Sequence, residues 1–286
     1  MDLLTQLNNA IAYIEKHIAD DLLLHDVSKV TTYSSFHFGR LFYYIADIPL
    51  AEYIRRRKLS LAAIELQDGH KVIDLAMKYG YDSADSFTRA FIKQHGITPS
   101  TARKQGAVLV NFPPITFQIK IEGVQGMNWR IENKEAFKVV GIERRFGNEE
   151  TDLISGFWQE LFENGSVERL KTQTGGTNLI AACSHIDDKK NDFSYLVGMI
   201  ADEYTKADGF TTLAAPASVW AVFRSEEFDE NPYGSEIPKL FKSAYQEWLP
   251  SSGYQKAESE VYDMEFYNTT SSGKFYEEVW LSVVKG

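Results

Sequence analysis

The chain has 286 residues, 44% of them hydrophobic, enough for about two ordinary domains, and a formal net charge of −10. A single cysteine, Cys183, excludes an internal disulfide framework and a cysteine-rich zinc site. Nothing approaches the roughly 18 consecutive apolar residues of a membrane-crossing helix. The opening Met1-Asp2-Leu3-Leu4 has no basic run before an apolar stretch, so a soluble cytoplasmic protein without membrane contact is expected.

Charge is unevenly spread along the chain. Residues 1–110 hold 13 basic and 12 acidic side chains, whereas residues 111–286 hold 17 and 28. Five of the six histidines lie in the first part and all five tryptophans in the second. These are two compositional units, and the near-neutral first one is compatible with a nucleic-acid partner despite the acidic total.

In the first unit Leu4, Leu7, Ile11, Ile14 and Ile18 recur at helical spacing. Asp20-Asp21 breaks that helix, a short helix begins over 24–30, and Thr31-Thr32-Tyr33 turns into Ser34–Phe42. Ile48-Pro49 is another break, followed by a long helix over 50–66 that carries Arg55-Arg56-Arg57-Lys58. Asp68-Gly69-His70 ends it. A short apolar helix over 72–78 and the turn Tyr79-Gly80-Tyr81-Asp82 lead into Ser83–Phe91, and Gly96–Ser100 closes the unit.

Ser34–Phe42 and Ser83–Phe91 share the pattern Ser-x-x-x-Phe-x-Arg-x-Phe, with Ser34/Ser83, Phe38/Phe87, Arg40/Arg89 and Phe42/Phe91 in register. Phenylalanines four apart share one face of a helix, and the arginine between them points away from it. Each serine stands at an N-cap position after a turn. Short helix, turn and second helix, used twice around one long helix, is the logic of a double helix-turn-helix. Arginine suits the outward position because its fork can contact guanine O6 and N7 together. Arg55, Arg56 and Lys58 suit phosphate contact. The plainer alternative is that Arg40 and Arg89 are surface arginines of a helical bundle; finding them matched in repeated contexts favours the first reading.

The same residues carry a family resemblance. Tyr33–Phe42, Tyr53-Ile54-Arg55-Arg56-Arg57-Lys58-Leu59, Ile73-Asp74-Leu75-Ala76, Gly80-Tyr81-Asp82-Ser83, Ser86–Phe91 and Gly96-Ile97-Thr98-Pro99 make residues 8–104 similar to the DNA-binding domain of AraC/XylS-type transcription regulators, especially the Rob and MarA branch. The resemblance implies two helix-turn-helix motifs that enter successive major grooves on one DNA face. It places one set of base-reading positions on Ser35, Phe36, Gly39 and Arg40. The other set falls on Ala84, Asp85, Ser86, Thr88 and Arg89. Gly39 departs from the polar residue of close relatives, and Thr32 stands where the first turn usually has glycine. Asp85 can accept from cytosine N4 or simply stabilise the N-terminal turn of its own helix.

Residues 105–114, with Pro113-Pro114, read as a linker or lead-in strand, and Ile115–Ile121 alternates with period two as a strand does. Further strands are expected over 137–142, 179–183, 194–200, 217–223, 261–267 and 276–284. Helices are expected over 151–162, with Leu153, Phe157 and Leu161 as its stripe, and over 237–248. This is an α+β texture in two similar halves. In the last strand Glu277, Val279, Leu281 and Val283 share one face, and Tyr276, Glu278, Trp280 and Ser282 the other. In the strand before it, Tyr262, Met264 and Phe266 oppose Asp263, Glu265 and Tyr267. The expectation is that the two strands present carboxylates interleaved with aromatics on one surface, as recognition of an amphipathic organic cation requires. An ordinary solvated sheet face fits these strands equally well.

Trp129-Arg130-Ile131-Glu132, Glu135–Ile142, Trp220-Ala221-Val222-Phe223, Glu247–Tyr254, Glu265-Phe266-Tyr267 and Glu278-Val279-Trp280-Leu281 carry a second resemblance. Through them residues 129–286 look like the gyrase-inhibitor-like effector-binding domain of multidrug-sensing regulators. That implies two pseudo-symmetric halves around a groove with a buried glutamate for lipophilic cations. Glu265 fits that glutamate best, with Glu278 second, and Tyr267, Trp280, Trp220, Phe223 and Tyr195 complete the expected site. Ser282 stands where that family usually has proline.

The expected organisation is an AraC-type DNA-binding domain over 1–108, a linker over 109–128 and an effector-binding domain over 129–286. The expected function is transcription regulation on promoter DNA, modulated by a small molecule and exerted through RNA polymerase, with no cofactor, no metal and no catalysis. The alternatives are a hydrolase of small electrophiles using Glu265 with Tyr267, or a groove for a protein partner. His185 is the only histidine of the second unit, so no nucleophile–histidine–acid set supports the hydrolase.

Overall fold

The computed structural model divides into two compact units, Met1–Lys120 and Ile121–Gly286. The structure describes all residues except 1–2, 21, 23–25, 28, 32, 34, 105, 119–125, 148–149, 151–152, 188–191, 203, 230–232, 258 and 260, and the side chains of residues 35–37 and 262.

The first unit is helical: α1 (Leu3–Lys16), α2 (Ser35–Ala46), α3 (Leu50–Gln67), α4 (Val72–Lys78), α5 (Ala84–His95) and α6 (Pro99–Ala102). Leu7, Ala10, Ile11 and Ile14 of α1 are buried at the expected spacing. The paired phenylalanines pack as their four-residue step predicts. Ring centroids of Phe38 and Phe42 are 6.2 Å apart, those of Phe87 and Phe91 5.6 Å, and all four are buried. A reciprocal capping box starts α5, in which Ser83 Oγ accepts from Ser86 N at 3.1 Å and Ser86 Oγ accepts from Ser83 N at 3.2 Å. Gly96 ends it in the left-handed region, φ 72°, where a side chain is strained. The matching cap at Ser34 and residues 24, 25, 28 and 32 of the expected 24–33 helix and turn lie outside the described residues.

Arg57 of α3 is buried and ion-paired to Glu15 of α1 at 2.7 Å, while its Nη1 donates to the Phe112 carbonyl at 2.5 Å. Tyr53 donates to the same carboxylate at 2.7 Å. So many donors on one carboxylate offset the desolvation of a buried pair, and losing either partner leaves an uncompensated charge.

The second unit is a curled antiparallel sheet with helices on one face. Its elements are β1 (Trp129–Lys134), β2 (Phe137–Gly147), α7 (Ile154–Glu163), α8 (Ser166–Thr174), β3 (Leu179–Asp187), β4 (Asp192–Ala201), β5 (Thr211–Ala215), β6 (Ser218–Arg224), α9 (Ile237–Ser243), a π-helical turn (Ala244–Trp248), α10 (Leu249–Ser251), β7 (Tyr254–Lys256), β8 (Val261–Thr269) and β9 (Phe275–Lys285). Strand order is β1-β6-β9-β8-β3-β4-β2-β5, with β7 added to β9. A pseudo-dyad therefore runs between β8 and β3. The lead strand of each half is exchanged: β1 pairs with β6, and β5 pairs with β2.

Helices α7 to α10 cover one face; α8 packs on β4 and β2, and α9 on β9. On the other face Val139, Leu213 and Leu196 join Trp220, Val222, Met264, Phe266 and Trp280 in one buried cluster, which requires the sheet to curl. Gly141 and Gly198 sit opposite each other in the β2–β4 ladder. A Cβ on Gly141 would meet the Val197 carbonyl at 2.3 Å, and one on Gly198 the Val140 carbonyl at 2.5 Å, so the close approach at this bend needs glycine on both strands. Strands β1, β5 and β7 and helix α8 go beyond the sequence expectation. Leu153, expected in a buried stripe, is 53% exposed.

The expected strand over 115–121 is not formed within its described part. Residues 107–118 instead run as an extended strap over the helical unit, without a strand ladder. Val110 N donates to His95 Nδ1 at 3.2 Å, Phe112 N to Ser60 Oγ at 3.0 Å, and Ile115 N to Tyr53 OH at 3.4 Å. Asn8 brackets Phe117, accepting from its N at 2.9 Å and donating to its carbonyl at 3.0 Å. The period-two pattern thus reflects alternate residues turned onto helices, and Pro113-Pro114 lack the N–H groups a ladder needs.

His95 is buried against Phe91, with ring centroids 4.2 Å apart. Its Nδ1 accepts from Val110, so the proton sits on Nε2, which donates to the Leu59 carbonyl at 3.3 Å. Burial holds the imidazole below its ordinary value of 6.5, against a weaker upward pull from Leu59. The folded state therefore takes up the proton later than the unfolded chain as pH falls. Stability is intact above the ordinary value and is lost as pH drops from there through the lowered one. Urea unfolding followed by helical circular dichroism is expected to show a lower midpoint at about pH 5.5 than at about pH 7.5. His95→Gln, which keeps one donor and one acceptor without titrating, is expected to shrink that difference.

Candidate functional site

Two surfaces carry the chemistry, one in each unit. In the helical unit, burial of Phe87 and Phe91 turns Asp85 and Arg89 of α5 outward, with Thr88 half-buried at the edge of that face and Ala84 half-buried on the phenylalanine side. Arg89 is exposed and makes no hydrogen bond or ion pair with any described residue, which leaves its fork available. Ser86 is already used by the capping box, donating to the Ser83 carbonyl at 2.9 Å. Asp85 is exposed in the first turn, where a negative charge suits the helix dipole.

The copy on α2 is built differently. Arg40 is half-buried and folds back on its own helix, its Nη2 donating to Tyr44 OH at 3.3 Å. Ser35 and Phe36 have side chains outside the described set. At Gly39 a Cβ would meet nothing within 4 Å, so the fold does not demand glycine there. The basic run is largely occupied. Arg55 and Arg56 both grip Glu52, at 2.6 and 2.5 Å, and Lys58 donates to the Tyr79 carbonyl at 3.3 Å. Burial pushes the Glu52 carboxyl up, but the two arginines together outweigh it and hold the group below its ordinary range. Arg56 also lies 4.9 Å over the ring of Phe112.

In the second unit Glu265 lies on the helix-covered face of β8 and is only 8% exposed. Tyr267 donates to its Oε2 at 2.7 Å and Tyr195 of β4 donates to the same oxygen at 2.9 Å. Trp158 of α7 in turn donates to Tyr195 OH at 3.1 Å. Burial, reinforced by the Glu265 charge, pushes both phenols well above their ordinary values, so they remain donors. Around them Trp158 meets Tyr267 edge-on at 5.0 Å, and Phe162 lies 4.9 Å from Tyr233, which itself lies 6.0 Å from Tyr267. Phe162 and Tyr233 form the outer rim, at 39% and 37% exposed.

The turn that carries Tyr233 is tied down by Glu277. That carboxylate accepts from the backbone N of Gly234, Glu236 and Ile237 at 2.5, 2.9 and 3.1 Å. Burial pushes the Glu277 carboxyl up, against the pull of these three donors.

The expected shared surface for Glu265 and Glu278 is corrected by the β8–β9 register. Glu265 faces Val279, whereas Glu278 faces Phe266 and Trp280 faces Met264, which puts Glu278 and Trp280 on the opposite side of the sheet. There Glu278 accepts from Arg130 at 2.7 Å and from Trp280 Nε1 at 2.9 Å. Its charge is already paired. Trp280 stacks on Phe266 at 4.6 Å, and Trp220 is fully buried beside it. Phe223 shares the face of Glu265 but is buried under Trp248 at 5.3 Å. The structure therefore brings together Glu265, Tyr267 and Tyr195, and adds Trp158, Phe162 and Tyr233. The step of four between Trp158 and Phe162, one position on from the buried Phe157 and Leu161, is the signal in the sequence that points to them. An open trough of about 680 Å³ lies elsewhere, between Lys134, Glu135, Pro216 and Val284. It has no aromatic lining.

Residues 127–284 match the model of the GyrI-like small molecule binding domain, and residues 27–105 match a helix-turn-helix domain. The chain belongs to the AraC-type DNA-binding transcription regulators that carry a GyrI-like small molecule binding domain. Over 98 residues, 34% of this chain, it is 40% identical to the transcriptional activator AarP of Providencia stuartii, 73% of which is covered. It is 38% identical, over 34% of its length, to the regulatory protein SoxS of Escherichia coli, 92% of which is covered. Among solved structures, SAV2435 bound to tetraphenylphosphonium aligns with a TM-score of 0.45 at 18% identity, covering 55% of this chain and 94% of that one. No helix among the described residues is long and apolar enough to cross a membrane.

Because Gly39 sits inside α2 with open space around it, replacing it reduces the backbone entropy lost on folding at no steric cost. Gly39→Ala is expected to raise stability by about 0.5–1 kcal/mol, read as a higher denaturant midpoint with unchanged m-value.

Proposed function

We propose that this regulator is switched by a lipophilic organic cation bound against Glu265. Occupancy changes the affinity of residues 1–108 for promoter DNA and thereby RNA polymerase activity. The observation that carries the reading is a buried carboxylate, held by two phenols and walled by three more aromatic side chains, Trp158, Phe162 and Tyr233. Charge opposite charge with π faces around it favours a flat or globular aromatic cation over a neutral or anionic molecule. The rings close on one another in this structure, so entry parts the rim pair Phe162 and Tyr233. No catalytic role is assigned: the phenols are donors to Glu265, and a base needs an acceptor free to take a proton.

On DNA, α2 and α5 enter successive major grooves, with Ser35, Phe36, Gly39 and Arg40 at one and Ala84, Asp85, Ser86, Thr88 and Arg89 at the other. Arg55, Arg56 and Lys58 meet phosphates, their pairing to Glu52 and Tyr79 holding them in place. A ligand shifts this binding only through different affinities for two states of the protein.

Tetraphenylphosphonium is the first probe. Titration against tryptophan fluorescence is expected to saturate, and Glu265→Gln to weaken it about tenfold or more, equivalent to about 1.4 kcal/mol. Equal affinity in the variant removes Glu265 from the site. Arg89→Ala is expected to cost about 1–3 kcal/mol on the selected operator and to relax preference at one base pair. Uniform weakening across sequences would instead make Arg89 a phosphate contact.

A further inference from the structure

The strap formed by residues 107–118 touches the buried stripe of both reading helices. At one end Val110 N bonds the ring of His95, the last member of the Phe87, Phe91, His95 stripe of α5. At the other end the Phe117 ring stands edge-on to Phe42 of α2 at 5.9 Å. Between them the Phe112 peptide is held by Ser60 and Arg57 of α3, and Asn8 of α1 fastens the Phe117 peptide from both sides. The ties to α1, α3 and α5 join side chains to the strap's backbone, and the tie to α2 is the Phe117–Phe42 ring contact. Pro113-Pro114, between the α3 and α1 anchors, stiffen the segment so that a pull at one end is carried along rather than absorbed. Residue 118 is where the described strap ends, and the chain then continues to β1 of the effector unit.

We propose that this strap is the coupling element of the regulator: it sets the relation between the two reading helices and passes the state of the effector unit to them. The second half of that statement rests on the proposed switching by a cation; the first half does not. Asn8 is the point to cut. It is neither one of the expected DNA-reading positions nor a member of the Glu265 cage, and it makes both bonds to Phe117.

The test uses the full chain, wild type and Asn8→Ala, with Phe117→Leu as a second variant that keeps an apolar plug should Asn8→Ala fail to fold. DNA affinity is measured on the selected operator and on the same operator with one base pair inserted between half-sites. The insertion rotates one site by roughly 35° against the other. Wild type is expected to lose about tenfold or more on the inserted operator. The variant is expected to discriminate several-fold less. Undiminished discrimination in a folded variant overturns the proposal.

The same measurements are then repeated with saturating tetraphenylphosphonium, whose binding is followed separately by fluorescence. A variant that binds the cation like wild type but no longer changes its DNA affinity supports transmission through the strap. A variant whose response to the cation equals that of wild type overturns it. If wild type itself does not bind the cation, it is the proposed effector that fails, and the spacing experiment still decides whether the strap sets the helices.

Discussion

Burying a carboxylate costs several kcal/mol unless hydrogen bonds or an opposite charge replace the water it loses. In the effector unit Glu265 is buried with two phenols donating to one of its oxygens. That solution depends on everything around it. Tyr195 reaches Glu265 only because β4, β3 and β8 are paired in the observed register, which places Tyr195 opposite Cys183 and Ala181 opposite Glu265. The β2–β4 ladder that backs this arrangement bends where Gly141 and Gly198 meet without side chains. The contrast with Glu278 is instructive. It is equally buried but neutralised by Arg130, so it presents no charge for a ligand to answer. Glu265 is instead held by neutral phenol donors, with no cation at those two bonds.

The helical unit uses the opposite strategy along α3, tying the charges of that helix to carboxylates. Arg57 belongs to Glu15, and Arg55 and Arg56 to Glu52. Repetition gives two helices, α2 and α5, with the same buried phenylalanine pair but unlike outer faces. On α5 the arginine is exposed, with no hydrogen bond or ion pair to a described residue; on α2 the arginine leans on Tyr44 beside a glycine. A shared scaffold with divergent surfaces is what two different DNA half-sites would require, since the buried residues are constrained by packing and the outer ones only by contact.

Much of the fold was legible because its signals are local. Four-residue steps exposed the helices, the Ser–Phe repeat exposed the duplication, and alternation within β8 and β9 divided each strand correctly into two faces. The relation between those strands was not legible. Thr269 pairs with Phe275 across a five-residue loop, an odd number, which sets Glu265 among Glu277 and Val279. A loop one residue longer or shorter would have placed it with Glu278, and nothing in the alternation itself decides between the two. Trp158, Phe162 and Tyr233 were missed for a related reason. Each lies on an element whose contact with β8 is set by tertiary packing, and a partly exposed aromatic on an amphipathic helix has no local mark of function. The period-two run over 115–121 misled because alternation reports burial on one side, whether the partner is a strand or a set of helices.

The exchange of lead strands gives the cage its leverage. Trp158, Phe162 and Tyr195 come from the half that contains α7 and β4, whereas Tyr233, Glu265 and Tyr267 come from the half that contains β6, β8 and β9. A molecule that parts Phe162 from Tyr233 therefore separates side chains belonging to different halves. The two halves meet along the single β3–β8 ladder and are laced by β1 on β6 and β5 on β2, so their relation shifts as a body rather than residue by residue. Strand β1 is paired to the second half while its chain continues directly into β2 of the first. It is also the strand reached from the strap. Under the proposed switching by a cation, a shift between the halves would reach the strap along the chain through β1.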